Sequence, residues 1–93
     1  MEPIRVPITD TLDLHTFRPA EVADLLDDYL DACIDNKIFE VRIIHGKGSG
    51  RLRQRVQALL SNHPLVEGVR DAPPEGGGWG ATLARLRRPR AAP

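Results

Sequence analysis

The 93 residues include a single cysteine, Cys33, so no disulfide can form within the chain. That suits a reducing compartment and predicts a cytoplasmic protein. No apolar run approaches the ~20 residues that span a bilayer, so no membrane association is expected. The opening Met1-Glu2-Pro3-Ile4-Arg5 lacks the basic-then-apolar pattern of an export signal. No His or Cys pair has the H-x-x-x-H or C-x-x-C spacing of a structural zinc site. No internal repeat is visible.

Net charge is missing too: 13 Lys/Arg balance 13 Asp/Glu. The zero conceals a polarity. Residues 1–40 hold ten acidic and three basic side chains, and residues 41–93 hold three and ten, or −7 against +7. A chain split this way can present a basic face to nucleic acid, or its halves can pack together and neutralise each other. Sequence leaves both open. At 41% apolar residues the chain is globular rather than disordered. Its length suits one domain, expected to be a monomer, that buries about two-thirds of its unfolded surface.

An extended arm is expected over residues 1–10, the domain over 11–87, and a disordered tail over 88–93. In the arm Pro7 allows at most an edge strand. Leu12 and Leu14 alternate with Asp13 in a short strand ending near His15. Pro19 and Glu21 open a helix. Val22, Leu25, Leu26, Tyr29, Leu30, Cys33 and Ile34 form its apolar stripe, with Asp24, Asp28, Asp31 and Asp35 opposite. Asn36-Lys37 provides the exit. Residues 40–44 read as a second strand. Ser49 is the expected N-cap of a second helix running to about Asn62, stopped by Pro64. Val66 to Asp71 gives a weaker alternating signal. A Pro/Gly-rich loop over 72–80 and a last strand over 81–87 follow. The order β-α-β-α-β-β predicts an α/β, two-layer (α+β sandwich) fold with two helices on a mixed four-stranded sheet. Parallel pairing is expected in the strand–helix–strand units and antiparallel pairing in the last two strands.

His45-Gly46-Lys47-Gly48-Ser49-Gly50 lies between the second strand and the second helix. Glycines admit an anion close to the backbone, helix-start amides point at it, and Lys47 adds charge. The segment is neither a P-loop nor G-x-G-x-x-G, so nucleotide binding does not follow. In parallel units the loops after strands emerge at one sheet edge, where ligands bind. His15, His45 and Gly76-Gly77-Gly78-Trp79-Gly80 are therefore expected on a common rim.

Leu12-Asp13-Leu14-His15, His45 to Gly50, and Gly77-Gly78-Trp79-Gly80-Ala81-Thr82 resemble, in order and spacing, the three signature motifs of the Smr (small MutS-related) domain. The similarity spans about residues 11–87 and resembles a stand-alone bacterial member. The family's first motif commonly continues with Gly where this chain has Thr16. The resemblance implies the same β-α-β-α-β-β fold and nucleic-acid binding. Some members nick DNA or cleave RNA, and the domain occurs in proteins linked to repair, recombination or ribosome rescue.

Asp13, His15, His45 and Lys47 are accordingly the candidate catalytic residues. Two imidazoles near a scissile phosphate can divide the proton transfers, Asp13 can orient a histidine or bind a metal, and Lys47 can offset phosphoryl charge. Each has a plainer role as a cap, a structural histidine or a loop lysine. Gly46, Gly48, Ser49 and Gly50 are expected to hold phosphate, with Ser49 more a cap than a nucleophile. Arg51 and Arg55 suit flanking phosphates, or form a solvated face paired with the first helix's aspartates. Gly77, Gly78 and Gly80 shape a loop in which Trp79 either stacks on an unpaired base or lids the core. Thr82 is expected to bond the loop backbone. No cofactor is assigned by the sequence, and Mg²⁺ or Mn²⁺ is the candidate metal. Three functions fit: a DNA-nicking or RNA-cleaving endonuclease, a non-catalytic DNA- or RNA-binding module, and a domain for a phosphorylated ligand or protein partner.

Overall fold

The computed structural model describes residues 8–88. Residues 1–7 of the expected arm and 89–93 of the expected tail lie outside that range. Helix α1 (Pro19–Asp35) begins where Pro19 occupies a position whose N–H has no intrahelical partner, with Glu21 in the first turn. It stops at Asn36, whose amide reaches the Ala32 carbonyl at 3.0 Å and whose side chain reaches it at 2.7 Å. Lys37 then turns the chain at φ 60°. Its buried stripe, Val22, Leu26, Tyr29, Leu30 and Cys33, follows the predicted periodicity.

Strand β1 (Thr11–Asp13) is two residues shorter than expected, although the Leu14 amide still bonds the Ile44 carbonyl at 2.7 Å. Strand β2 covers Glu40–Ile44. Helix α2 (Arg51–Ser61) starts one residue later than a Ser49 cap would place it. Gly50 is the N-cap at φ 85°, and the Ser49 hydroxyl only approaches the Arg51 amide at 3.4 Å. Strands β3 (Val66–Asp71) and β4 (Ala81–Leu86) complete the chain. Two single 3₁₀ turns, Pro74–Gly76 and Gly78–Gly80, lie between them.

The sheet order is β1-β2-β4-β3. β1 and β2 pair in parallel, and β4 is antiparallel to both its neighbours. The parallel pairing expected in the second strand–helix–strand unit is thus not made. β2 and β3 share a direction, but β4 lies between them. The weak alternation of β3 also has a cause. The register slips between Val66 and Gly68, a bulge that puts Val66 opposite Leu86 and Val69 opposite Ala84. Both valines thereby join the core, which strict alternation would forbid.

The core lies between the two helices and one face of the sheet. Leu14, Leu30, Ile43, Val56 and Leu60 are fully buried in it. Removing such a leucine side chain costs about 2–5 kcal/mol. Tyr29 donates to the Thr9 carbonyl at 2.5 Å and ties the segment before β1 to α1. His63, at the exit of α2, bonds Asp27 of α1 at 2.7 Å and joins the helices. Among the described residues no helix is long and apolar enough to cross a membrane.

Candidate functional site

The three segments expected on one rim meet there. The amides of His45 and Gly46 both donate to the Gly80 carbonyl, at 3.0 and 2.9 Å, so the loop after β2 is bonded to the loop before β4. A Cβ on Gly80 would sit 3.4 Å from Lys47 Cγ and 3.6 Å from the Gly46 carbonyl carbon, at van der Waals contact, so the two loops pack directly together here. The end of β1 lies beside them through the Leu14–Ile44 bond.

The two histidines occupy different surroundings. His15 is exposed, and its Nδ1 and its amide both bond Asp13 Oδ1. A carboxylate only accepts, so Nδ1 carries the hydrogen, and in the neutral ring Nε2 keeps its lone pair. These bonds, the imidazole's first and the amide's second, hold the Asp13 carboxyl below its ordinary value.

His45 is 4% exposed. Its Nδ1 lies 2.9 Å from the Gly46 carbonyl, which can only accept. In the neutral ring Nε2 is then an acceptor, and the Thr82 hydroxyl donates to it at 2.8 Å. Thr82, fully buried, was expected to bond the loop backbone and instead bonds this ring. Its oxygen accepts from Gln57 Nε2 at 3.1 Å, and the same amide bonds Asp71 at 2.9 Å. Arg53 grips both Asp71 oxygens at 2.7 and 2.9 Å. Arg53 first and Gln57 second keep the Asp71 carboxyl below its usual range. Arg53 Cζ stands 5.1 Å from the Trp79 ring centroid, while its Nε is buried without a hydrogen-bond partner. The indole face gives the guanidinium a cation–π partner besides Asp71. One polar chain thus runs from His45 to Trp79, with members on α2, β3 and β4.

Lys47, Gly48 and Ser49 are exposed, and Gly50 is buried under Trp79. A Cβ on Gly50 would meet Trp79 Cη2 at 3.3 Å. The amides of Lys47, Gly48 and Ser49 carry no hydrogen bond among the described residues, unlike the Gly46 amide. Nor do the side chains of Lys47, Arg51 and Arg55 have a partner among those residues, so the pairing of the arginines with α1 aspartates is not made. Gly77 (φ 114°) and Gly78 (φ 54°) turn the loop that carries Trp79. Trp79 is 47% exposed and does not lid the core. No group of three or more His, Cys, Asp or Glu side chains is gathered among the described residues.

Sequence reasoning missed Arg53, Gln57 and Asp71 as site supports. Nothing local marked them, because each acts through a residue at least 14 positions away.

Comparison with known proteins agrees with this geometry. The profile of the Smr domain matches residues 12–87. "Endonuclease MutS2" of Staphylococcus epidermidis is 41% identical over 83 residues, 89% of this chain and 11% of that protein. The Thermomicrobium roseum protein of the same name is 46% identical over 66 residues, 71% of this chain and 8% of that one. The chain therefore spans about a tenth of these relatives. The crystal structure of the Smr domain of Thermus thermophilus MutS2 superposes with a TM-score of 0.80 at 35% identity, covering 85% of this chain and 99% of that one. YdaL, a stand-alone small MutS-related protein from Escherichia coli, gives 0.79 at 26%, covering 88% and 67%. Motifs, fold and profile coincide over one stretch of sequence, and on that ground the chain belongs to the Smr domain family.

Proposed function

We propose that this domain binds nucleic acid and cuts its phosphodiester backbone at the rim above β1 and β2. One observation carries this: an exposed Asp13–His15 pair lies at the same sheet edge as a glycine loop with an unpartnered lysine and unbonded amides. The carboxylate fixes His15 with Nε2 as the proton acceptor. That nitrogen takes the proton of the attacking hydroxyl, from water or from an RNA 2′-OH. Lys47 and the amides of Gly48 and Ser49 offset charge that grows on the phosphoryl oxygens. The leaving oxygen is protonated at the open rim by solvent or by the imidazolium just formed. His45, sealed and bonded at both nitrogens, positions the loop instead of carrying protons. Arg51 and Arg55 extend the phosphate track along α2. The endonuclease name of the MutS2 relatives supports the same chemistry.

A divalent ion such as Mg²⁺ or Mn²⁺ is commonly held by one or two carboxylates together with substrate phosphate and water. Asp13 is the carboxylate this rim offers. The test is cleavage of supercoiled plasmid and of structured RNA by wild type and His15→Ala, with Mg²⁺, with Mn²⁺ and with chelator. Wild type should cut, and His15→Ala should lose cleavage while binding stays within a few-fold. If wild type cuts neither substrate under any condition, the domain is a binding module only. Loss of activity to chelator assigns a metal, and cyclic phosphate ends assign 2′-hydroxyl attack.

A further inference from the structure

Of the chain's four aromatic side chains, Tyr29 is buried and Phe39 is half-buried with Arg88 over its ring at 4.7 Å. The other two, Phe17 and Trp79, are 39% and 47% exposed, and both stand on the rim just described. Phe17 lies in the turn after β1, held by its amide bond to the Leu14 carbonyl at 3.0 Å, two residues beyond His15. Trp79 lies in the turn before β4, held by the Gly80–Gly77 bond at 3.0 Å and by Arg53 on its ring. Large apolar faces in open solvent at a polar, cationic rim suit a ligand that is charged along one edge and flat along the other. A nucleobase attached to its phosphate is such a ligand.

Resting on the nucleic-acid reading above, we propose that the site takes an unpaired strand, with one base stacked on Trp79 and another on Phe17, on either side of the phosphate beside His15. Two features favour an unpaired strand over a duplex. β1 and β4 are separated by β2, so their ends lie roughly 9–10 Å apart. Bases in a duplex follow each other at about 3.4 Å and keep their faces covered, whereas splayed bases can reach both platforms. Arg53 also covers one face of the indole with a cation whose own position is set by two bonds to Asp71. A base on the other face completes a sandwich whose inner layers are already fixed.

Trp79 is the chain's one tryptophan, so intrinsic fluorescence reports this position directly. The experiment titrates the wild-type protein with a single-stranded oligonucleotide, the perfectly paired duplex of the same sequence, and a single strand with abasic positions. Each is made as DNA and as RNA, to separate the two sources of the same chemistry. The single strand should quench Trp79 saturably and bind at least ten-fold tighter than the duplex. The abasic strand should bind through its phosphates with little quenching. Phe17→Ala, a change at an exposed position, should weaken single-strand binding by about ten-fold and leave duplex binding unchanged. Equal affinity for duplex and single strand, equal quenching by the abasic strand, or an unaffected Phe17→Ala would each overturn the inference. Binding is read here without cleavage, so a protein that binds as described but cuts nothing refutes the nuclease proposal and leaves this one standing.

Discussion

His15 and His45 follow neighbouring parallel strands, His15 one residue farther along the shared register than His45, which aligns with the buried Leu14, and they live in different solvents. His15 ends β1, an edge strand, and points into water with only Asp13 as its partner. His45 ends β2, an interior strand, and is roofed by the loop that returns into β4. The edge position leaves one nitrogen of His15 free for chemistry. The interior position engages both nitrogens of His45 and makes it part of the loop's scaffold. On the proposed function, burial more than residue type divides the two roles, because a buried imidazole cannot reach a phosphate without breaking the bonds that satisfy it.

The largest effect that separates the two should be kinetic. His15→Ala should lower the single-turnover cleavage rate by about 10²–10⁴-fold, the range for a lost general base, with a melting temperature lowered only slightly by loss of the exposed Asp13 bond. A loss under ten-fold would move the chemistry elsewhere. His45→Ala should instead act on stability, since it leaves the Gly46 carbonyl without its ring donor and the buried Thr82 hydroxyl without an acceptor for its hydrogen, with only the Gln57 bond remaining at its oxygen. The expected cost is about 1–3 kcal/mol in denaturant unfolding. Thr82→Val should cost a similar amount. The double variant should cost less than the sum, because the two groups share one bond. Strict additivity would show that the bond contributes nothing.

Next in size is the salt response. Each of Lys47→Ala, Arg51→Ala and Arg55→Ala should reduce the slope of log affinity against log salt by about one. Arg53→Ala should change that slope least, since Asp71 already neutralises it. A larger slope change at Arg53 would mean that its ion pair opens on binding. The smallest effect concerns acid. The carboxyls of Asp13 and Asp71 are both held below their ordinary value of 3.8. Their contribution to stability is therefore full above that pH and disappears as pH falls through the lowered values. Asp71→Asn should flatten the acid limb of a melting-temperature curve below about pH 4, and an unchanged limb would show that the Arg53 grip does not stabilise the fold.

Local signals made the helices readable. The stripe from Val22 to Ile34 and the stop at Asn36 needed no tertiary information, and neither did the length of β2. The neighbours of each strand could not be read the same way. The insertion of β4 between β2 and β3 is set by long-range pairing that no local pattern records. The bulge near Glu67 likewise breaks the period-two code, which would have placed Val66 and Val69 on opposite faces although both join the core. Within the site, topology foretold that three loops would converge, because the edge at which a loop emerges follows from strand direction, which the insertion of β4 leaves unchanged. The burial of His45 was not readable, since the lid and the hydroxyl that seal it come from residues 80 and 82, more than thirty positions later. Gly50 replaced Ser49 as the helix cap for a steric reason: the position needs a left-handed backbone and lies under the Trp79 ring.

The division of labour between the histidines is tested most directly by chemical rescue. Free imidazole should restore cleavage to His15→Ala, because the vacated space opens to solvent and Lys47 still holds the phosphate. It should restore nothing to His45→Ala beyond any recovery of folded protein seen by melting. Rescue of His45→Ala with none at His15→Ala would contradict the account and place the proton carrier beneath the loop.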